Sequence, residues 1–116
     1  MSDDTLVRIE AVDGTLVAEM LTRELTDLES GAVFEDIVRA AHDLGWRVVV
    51  DCTRFETLSS SGIGMFVKLQ RLCAKNTGSV AMCGLSNDLL SLLRLTRMDG
   101  LFTIAQTREE AIRLLK

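Results

Sequence analysis

The sequence predicts an α/β fold, a single domain over residues 1–116 with a mixed sheet of four to five strands and about four helices. Three observations point to it. Short β-branched apolar runs alternate along the chain with longer segments whose apolar residues recur at helical spacing. Asp13-Gly14 sits between the first two such runs and supplies the positive φ angles of a tight hairpin. Each later strand is separated from the next by a helical segment, the pattern of parallel strands joined by crossovers.

Taken in order, Leu6–Val12 and Leu16–Met20 form the hairpin strands. A first helix places Val33, Phe34, Ile37, Val38, Ala41 and Leu44 on one face, with Ser30 as its expected cap and Gly45 as its stop. Glu24, Asp27 and Glu29 before it read as a solvated acidic stretch, or as a match for a basic partner surface. Trp46–Asp51 is nearly continuous in apolar residues, as a strand covered on both faces should be. A second helix runs from about Ser61 to Lys75, turning Ile63, Phe66, Leu69 and Cys73 inward and Lys68, Arg71 and Lys75 to a polar side. Asn76-Thr77-Gly78 ends it, and Val80–Cys83 is the fourth strand.

Ser86 caps a third helix from about Asn87 to Thr96. Leu89, Leu90, Leu92, Leu93, Leu95 and Met98 crowd this segment beyond what one buried face needs. The excess predicts an exposed apolar strip fit for a partner or for a homodimer. Arg94 and Arg97 suit its C-terminal end. A short strand near Leu101–Ala105 follows, and Thr107-Arg108-Glu109-Glu110 matches the capping box of a last helix.

Composition narrows the function. Apolar residues make up 47% and charged residues 26%, a globular balance with few aromatics at 4%. A net charge of −4 argues against nucleic acid as a partner. Met1-Ser2-Asp3-Asp4 has neither the basic start nor the apolar run of a secretory signal, and no stretch is long enough to insert in a membrane, so a cytoplasmic protein is expected. Cys52, Cys73 and Cys83 lack metal or redox spacing and read as buried thiols. The one histidine, His42, lies in a helical pattern beside Asp43, and no G-x-S-x-G elbow, zinc cluster, dinucleotide fingerprint or Walker lysine is present. The inventory favours a non-enzymatic domain without cofactor or metal.

What remains is Leu58-Ser59-Ser60-Ser61-Gly62-Ile63-Gly64, where a loop becomes a helix start. Read locally, one serine caps the helix, the others satisfy loop backbone groups, and the glycines allow close packing on the sheet. The same place welcomes a negative charge, whether a bound anion or a phosphoryl group on a serine.

The stretch from Val48 to Gly64 resembles the signature of the STAS domain, the sulfate-transporter and anti-sigma-factor-antagonist fold. In that family an apolar strand ending in Asp leads through a short loop to a run typically reading Asp-Ser-Ser-Gly-Leu-Gly. Here that run is Ser59-Ser60-Ser61-Gly62-Ile63-Gly64. Ala81-Met82-Cys83-Gly84-Leu85-Ser86, Leu92-Leu93-Arg94-Leu95-Thr96, Leu101-Phe102-Thr103-Ile104 and Glu110-Ala111 extend the resemblance in order, while the N-terminal third matches more loosely.

The resemblance implies a protein-binding module without catalysis. In the antagonist branch the first serine of Ser-Ser-Gly is phosphorylated by a partner that is both anti-sigma factor and serine kinase, and a phosphatase reverses the mark. Carried over, that residue is Ser60, with Ser59 a weaker alternative. The implied partner-binding residues are Ser59, Ser60, Ser61, Gly62, Ile63 and Met65. Ser59 departs from the pattern: it can cap a helix as the family's acidic residue does, but it brings no charge. That departure motivates the alternative of an unphosphorylated STAS subunit in a transporter complex or signalling scaffold. A phosphate cradle in a small enzyme is the remaining option.

Overall fold

A computed structural model of the chain describes residues 6–115; the acidic N-terminus lies outside the described residues. The hairpin forms as its turn chemistry requires. β1 (Val7–Val12) pairs antiparallel with β2 (Thr15–Met20), and Asp13 and Gly14 both take positive φ. β3 (Arg47–Asp51), β4 (Ser79–Cys83) and β5 (Thr103–Ala105) then add in parallel, giving a five-stranded sheet in the order β1-β2-β3-β4-β5. The last strand is shorter than its apolar pattern predicts, because Asp99–Leu101 is taken up by a 3-10 turn.

The helices are α1 (Asp27–Ala41), α2 (Ser60–Lys75), α3 (Asn87–Leu95) and α4 (Arg108–Leu115). Side-chain alternation along the strands sorts them into two layers. Leu16, Ala18, Met20, Val48, Val50, Val80 and Met82 face α1, α2 and α3, where Ile37, Phe66, Leu69 and Leu93 complete the main core. Val17, Val49, Ala81, Cys83 and Ala105 point the other way and meet Ala111, Ile112 and Leu115 of α4. β3 is buried on both faces, as its continuous apolar run demands.

α1 begins one turn earlier than expected. Its cap is Thr26, whose hydroxyl accepts from the Glu29 N–H at 3.2 Å while the Glu29 carboxylate accepts from the Thr26 N–H at 3.0 Å. This reciprocal box satisfies two orphan donors at once, and so it displaces Ser30, which lies inside the helix and is buried. Glu29 and Asp27 therefore belong to the first turn of α1, where their charge suits the helix dipole. Leu44 packs on the core from a 3-10 turn after the helix, and Gly45 ends that turn in the left-handed conformation.

Ser86 caps α3 as expected, accepting from the Leu89 N–H at 3.2 Å. The leucine surplus resolves largely inward: Leu89 and Leu93 are buried, Leu92 and Met98 pack against the core, and Leu95 alone among these residues is fully offered to solvent. The strip predicted from leucine density thus reduces to Leu95 and the half-buried Leu90. Thr107 caps α4 through the Glu110 N–H at 3.1 Å, but the Glu110 carboxylate reaches back to the Gln106 N–H at 2.8 Å, one residue beyond the cap. Gly78 is tucked so closely under Trp46 that a Cβ would collide with the Trp46 carbonyl, which explains a glycine at the entry to β4.

Candidate functional site

The loop from β3 to α2 carries the serines, and it is held at three places. Phe55 is buried and meets Phe66 of α2 edge-on with ring centroids 6.0 Å apart. The Glu56 N–H donates to the Arg23 carbonyl at 3.0 Å, tying this loop to the one before α1. At its root the Cys52 N–H donates to the Cys83 carbonyl at 2.8 Å.

Ser59 is the N-cap of α2. Its Oγ accepts from the Gly62 N–H at 3.0 Å and donates to the Leu25 carbonyl at 2.8 Å. One hydroxyl thus closes the helix start and joins it to the loop leading into α1. The second bond needs a donor. An aspartate at position 59 would cap as well but would set its carboxylate against the Leu25 carbonyl, so serine here has a structural use that aspartate lacks.

Ser60 and Ser61 open α2, with Ser60 exposed and Ser61 partly so. No acidic residue occupies the first turn of α2, so the partial positive charge of its N-terminus is uncompensated. Gly62 and Met65 are buried, Ile63 is half-buried against the core, and Gly64 is exposed. The six partner-binding residues predicted from the sequence are therefore brought together, but only Ser59, Ser60, Ser61 and Ile63 offer more than marginal surface; Gly62 and Met65 support them from below. Close packing does not explain the glycines. A Cβ at Gly62 would meet only the Ser59 Oγ at 3.4 Å, and one at Gly64 would meet nothing within 4 Å.

Beside the serines, α1 and α2 bound an open cleft of about 760 Å³. Ser60 and Ser61 lie at its start on α2, and Lys68 and Arg71 lie two to three turns further along the same helix. The Lys68 ammonium stands 4.6 Å from the centroid of the Phe34 ring on α1.

An ionic cluster that sequence reading missed lies on the α4 face. Strand register aligns Arg8, Glu19, Asp51, Cys83 and Ala105 in one row across the sheet. Arg108 of α4 reaches down to it, placing Nη2 2.8 Å from Asp51 Oδ2 and Nη1 3.1 Å from Glu10 Oε1. Asp51 Oδ1 accepts from the Thr53 hydroxyl at 2.6 Å and from the Thr53 N–H at 3.0 Å. Burial opposes ionisation of Asp51, but the Thr53 hydroxyl, the Arg108 guanidinium and the Thr53 N–H outweigh it and hold the carboxyl below its ordinary value. Asp51 thereby fixes the first residues of the serine loop and fastens α4 to the sheet. Gly84 completes the arrangement: at φ +74 it lies so near Thr53 that any Cβ would strike the Thr53 hydroxyl. The only hint in the sequence was an acidic residue ending an apolar strand.

His42 is exposed at the far end of α1, edge-on to Trp46. The cysteines are buried, and desolvation pushes the Cys73 thiol up to about 11 and the Cys83 thiol to about 12. Among the described residues no group of His, Cys, Asp or Glu side chains could hold a metal ion, and no helix is long and apolar enough to cross a membrane.

The family model of the STAS domain matches residues 7–111. The chain belongs to the STAS family. Solved structures agree on the fold. An anti-sigma-factor antagonist (STAS) domain protein from Planctomyces limnophilus superposes with a TM-score of 0.83 at 19% identity, covering 94% of this chain and 97% of that one. The Bacillus cell fate determinant SpoIIAA in its phosphorylated form gives 0.72 at 20% identity, covering 95% and 99%. A murine Solute Carrier 26 anion transporter matches at 0.73 and 10% identity, with 91% of this chain covering 18% of the transporter. No curated protein matches the chain. The STAS core is thus shared with an antagonist domain protein and with a transporter.

Proposed function

We propose that this STAS domain is a cytoplasmic anti-sigma-factor antagonist that binds an anti-sigma factor acting as serine kinase, and that phosphorylation of Ser60 releases the partner. The observation that carries the reading is the division of labour between adjacent hydroxyls. Ser59 has its Oγ engaged as both donor and acceptor, whereas the neighbouring Ser60 is exposed at the first position of α2. A kinase reaches Ser60 without breaking the fold, while modifying Ser59 removes the bond to Leu25 and opens the junction between two loops. Ser59 therefore yields to Ser60 as the modification site.

A phosphoryl group adds about −1.5 to −2 charges and three acceptor oxygens. On Ser60 it lies at the positive end of a helix with no acidic residue in its first turn, so the domain tolerates it. Within a close interface the same group brings bulk and a desolvation cost, and a difference of about 3 kcal/mol changes affinity more than 100-fold. Regulation then acts on the complex rather than on the fold, and a phosphatase resets it.

Incubation with the serine-kinase anti-sigma factors of the same genome and ATP, followed by peptide mass spectrometry, should place phosphate on Ser60. Ser60→Asp should weaken the captured partner about 100-fold while Ser60→Ala binds as wild type. Modification at another residue, or equal affinity for the Ser60→Asp protein, overturns the switch. The neutral Ser59 favours one other reading, an unphosphorylated subunit of a transporter complex or scaffold. In that case transporter or scaffold subunits are recovered, and neither Ser60 substitution changes their binding.

A further inference from the structure

The cleft between α1 and α2 has features that the chain's own fold leaves without a purpose. Gly31 and Gly64 are each the fifth residue of their helices, and both line this cleft, one on each wall. Neither has positive φ, and a Cβ at either would meet nothing within 4 Å. Glycine is the least favourable helix-interior residue after proline, and here no turn or internal contact requires it. The remaining use of such a glycine is to let another backbone come close.

A second observation is independent of the glycines. Ser30, next to Gly31, lines the same cleft at 5% exposure, and its Oγ has no hydrogen-bond partner among the described residues. A buried hydroxyl left unpaired is unfavourable, and a rotation of Ser30 that turns its Oγ into the cleft would let a polar group from outside satisfy it. Charge gives the direction. Asp27 lies at the start of the cleft, while Lys68 and Arg71 lie further along it and pair with no carboxylate among the described residues. On a chain of net charge −4 this is a local inversion of sign. One turn before Gly31, Leu28 is 86% exposed.

We propose that the cleft receives an amphipathic helix of a partner protein. Its small residues pass over Gly31 and Gly64, its apolar flank meets Leu28 and Phe34, and its carboxylates lie over Lys68 and Arg71. From Ser60 to Arg71 the wall is about 16 Å long, room for some three helical turns. The inference rests on the serine loop being a partner-binding face, and it extends that face from the loop into the cleft.

The probe is a displayed library of amphipathic helical peptides, selected on the full chain. Enriched peptides should carry Asp or Glu toward one end and Gly, Ala or Ser near the middle. Their Kd should rise at least about tenfold with Gly31→Gln, Gly64→Gln or Lys68→Glu, and stay unchanged with Leu95→Glu on α3. Amide shifts on binding should be confined to α1, α2 and the serine loop. Gly31→Ala and Gly64→Ala should each raise Tm by about 2–5 °C, since the native backbone accepts alanine. No enrichment, binders mapping elsewhere, indifference to the glutamines, or a fall in Tm with alanine overturns the proposal. With the captured anti-sigma partner, sensitivity to Ser60→Asp but not to Gly64→Gln removes the cleft and keeps the switch. The opposite pattern removes the switch and keeps the cleft.

Discussion

The two faces of the sheet are built from different materials. Toward α1, α2 and α3 the strands present large side chains such as Leu16, Met20 and Met82, and Phe66, Leu69 and Ile37 interlock with them. Toward α4 they present only valine, alanine and cysteine, Val17, Val49, Ala81, Cys83 and Ala105, against an eight-residue helix. There Arg108 adds ion pairs, with Asp51 and Glu19 of one register row and with Glu10 of β1 beside it. One layer is specified by volume and the other by a charge pair. The serine loop draws on both, through Phe55 on the first face and through Thr53 and Asp51 on the second.

Phe66→Ala should break the contrast most strongly. It empties the largest fully buried side chain and should cost about 3–5 kcal/mol in urea unfolding, with the slope unchanged. On the other face, Asp51→Ala removes a ligand of both Arg108 and Thr53 and should cost about 2–3 kcal/mol. If volume governed both faces, Asp51→Ala would be nearly silent. Combining it with Arg108→Ala should cost less than the sum of the single changes, because the two residues share one interaction.

Acid sharpens the same point. The Asp51 carboxyl titrates near about 3.9 in the unfolded chain and lower in the folded one, so its contribution is complete above that pH. It is lost as pH falls through the folded value. Wild type should therefore lose more stability below about pH 4 than Asp51→Ala does, and parallel curves would show that Asp51 is not the group responsible. A smaller effect is expected at the junction of the loops. Ser59→Ala gives up the cap of α2 and the bond to Leu25 and should cost about 1–2 kcal/mol. Ser60→Asp should leave unfolding within about 0.5 kcal/mol of wild type, which separates a residue used by the fold from its neighbour.

Local patterns were enough to read the architecture. β3 announced its double burial by a continuous apolar run, the Asp13-Gly14 turn fixed the hairpin, and Ser86 and Thr107 marked helix starts because caps act within three or four residues. Where two local signals competed, as Ser30 did with the Thr26–Glu29 box, the one satisfying two donors prevailed. The serine loop was legible as a loop but not as a set of roles. Ser59 meets Leu25 across 34 positions and Arg108 meets Asp51 across 57, distances over which periodicity carries no information. Burial also divided Met65 from Ser60, and here spacing carried the signal: Met65 lies four residues before Leu69 on the inward stripe of α2.

The sheet's two outer margins carry a consequence for how copies of this chain meet. β5 is three residues long, and β1 bears Arg8 and Glu10 on one side. A short margin gives an incoming strand little ladder to pair with, and a charged one penalises a neighbour laid against it in register. Continuation of the sheet from chain to chain is disfavoured at both ends, and the sheet is a finished scaffold beneath its helices.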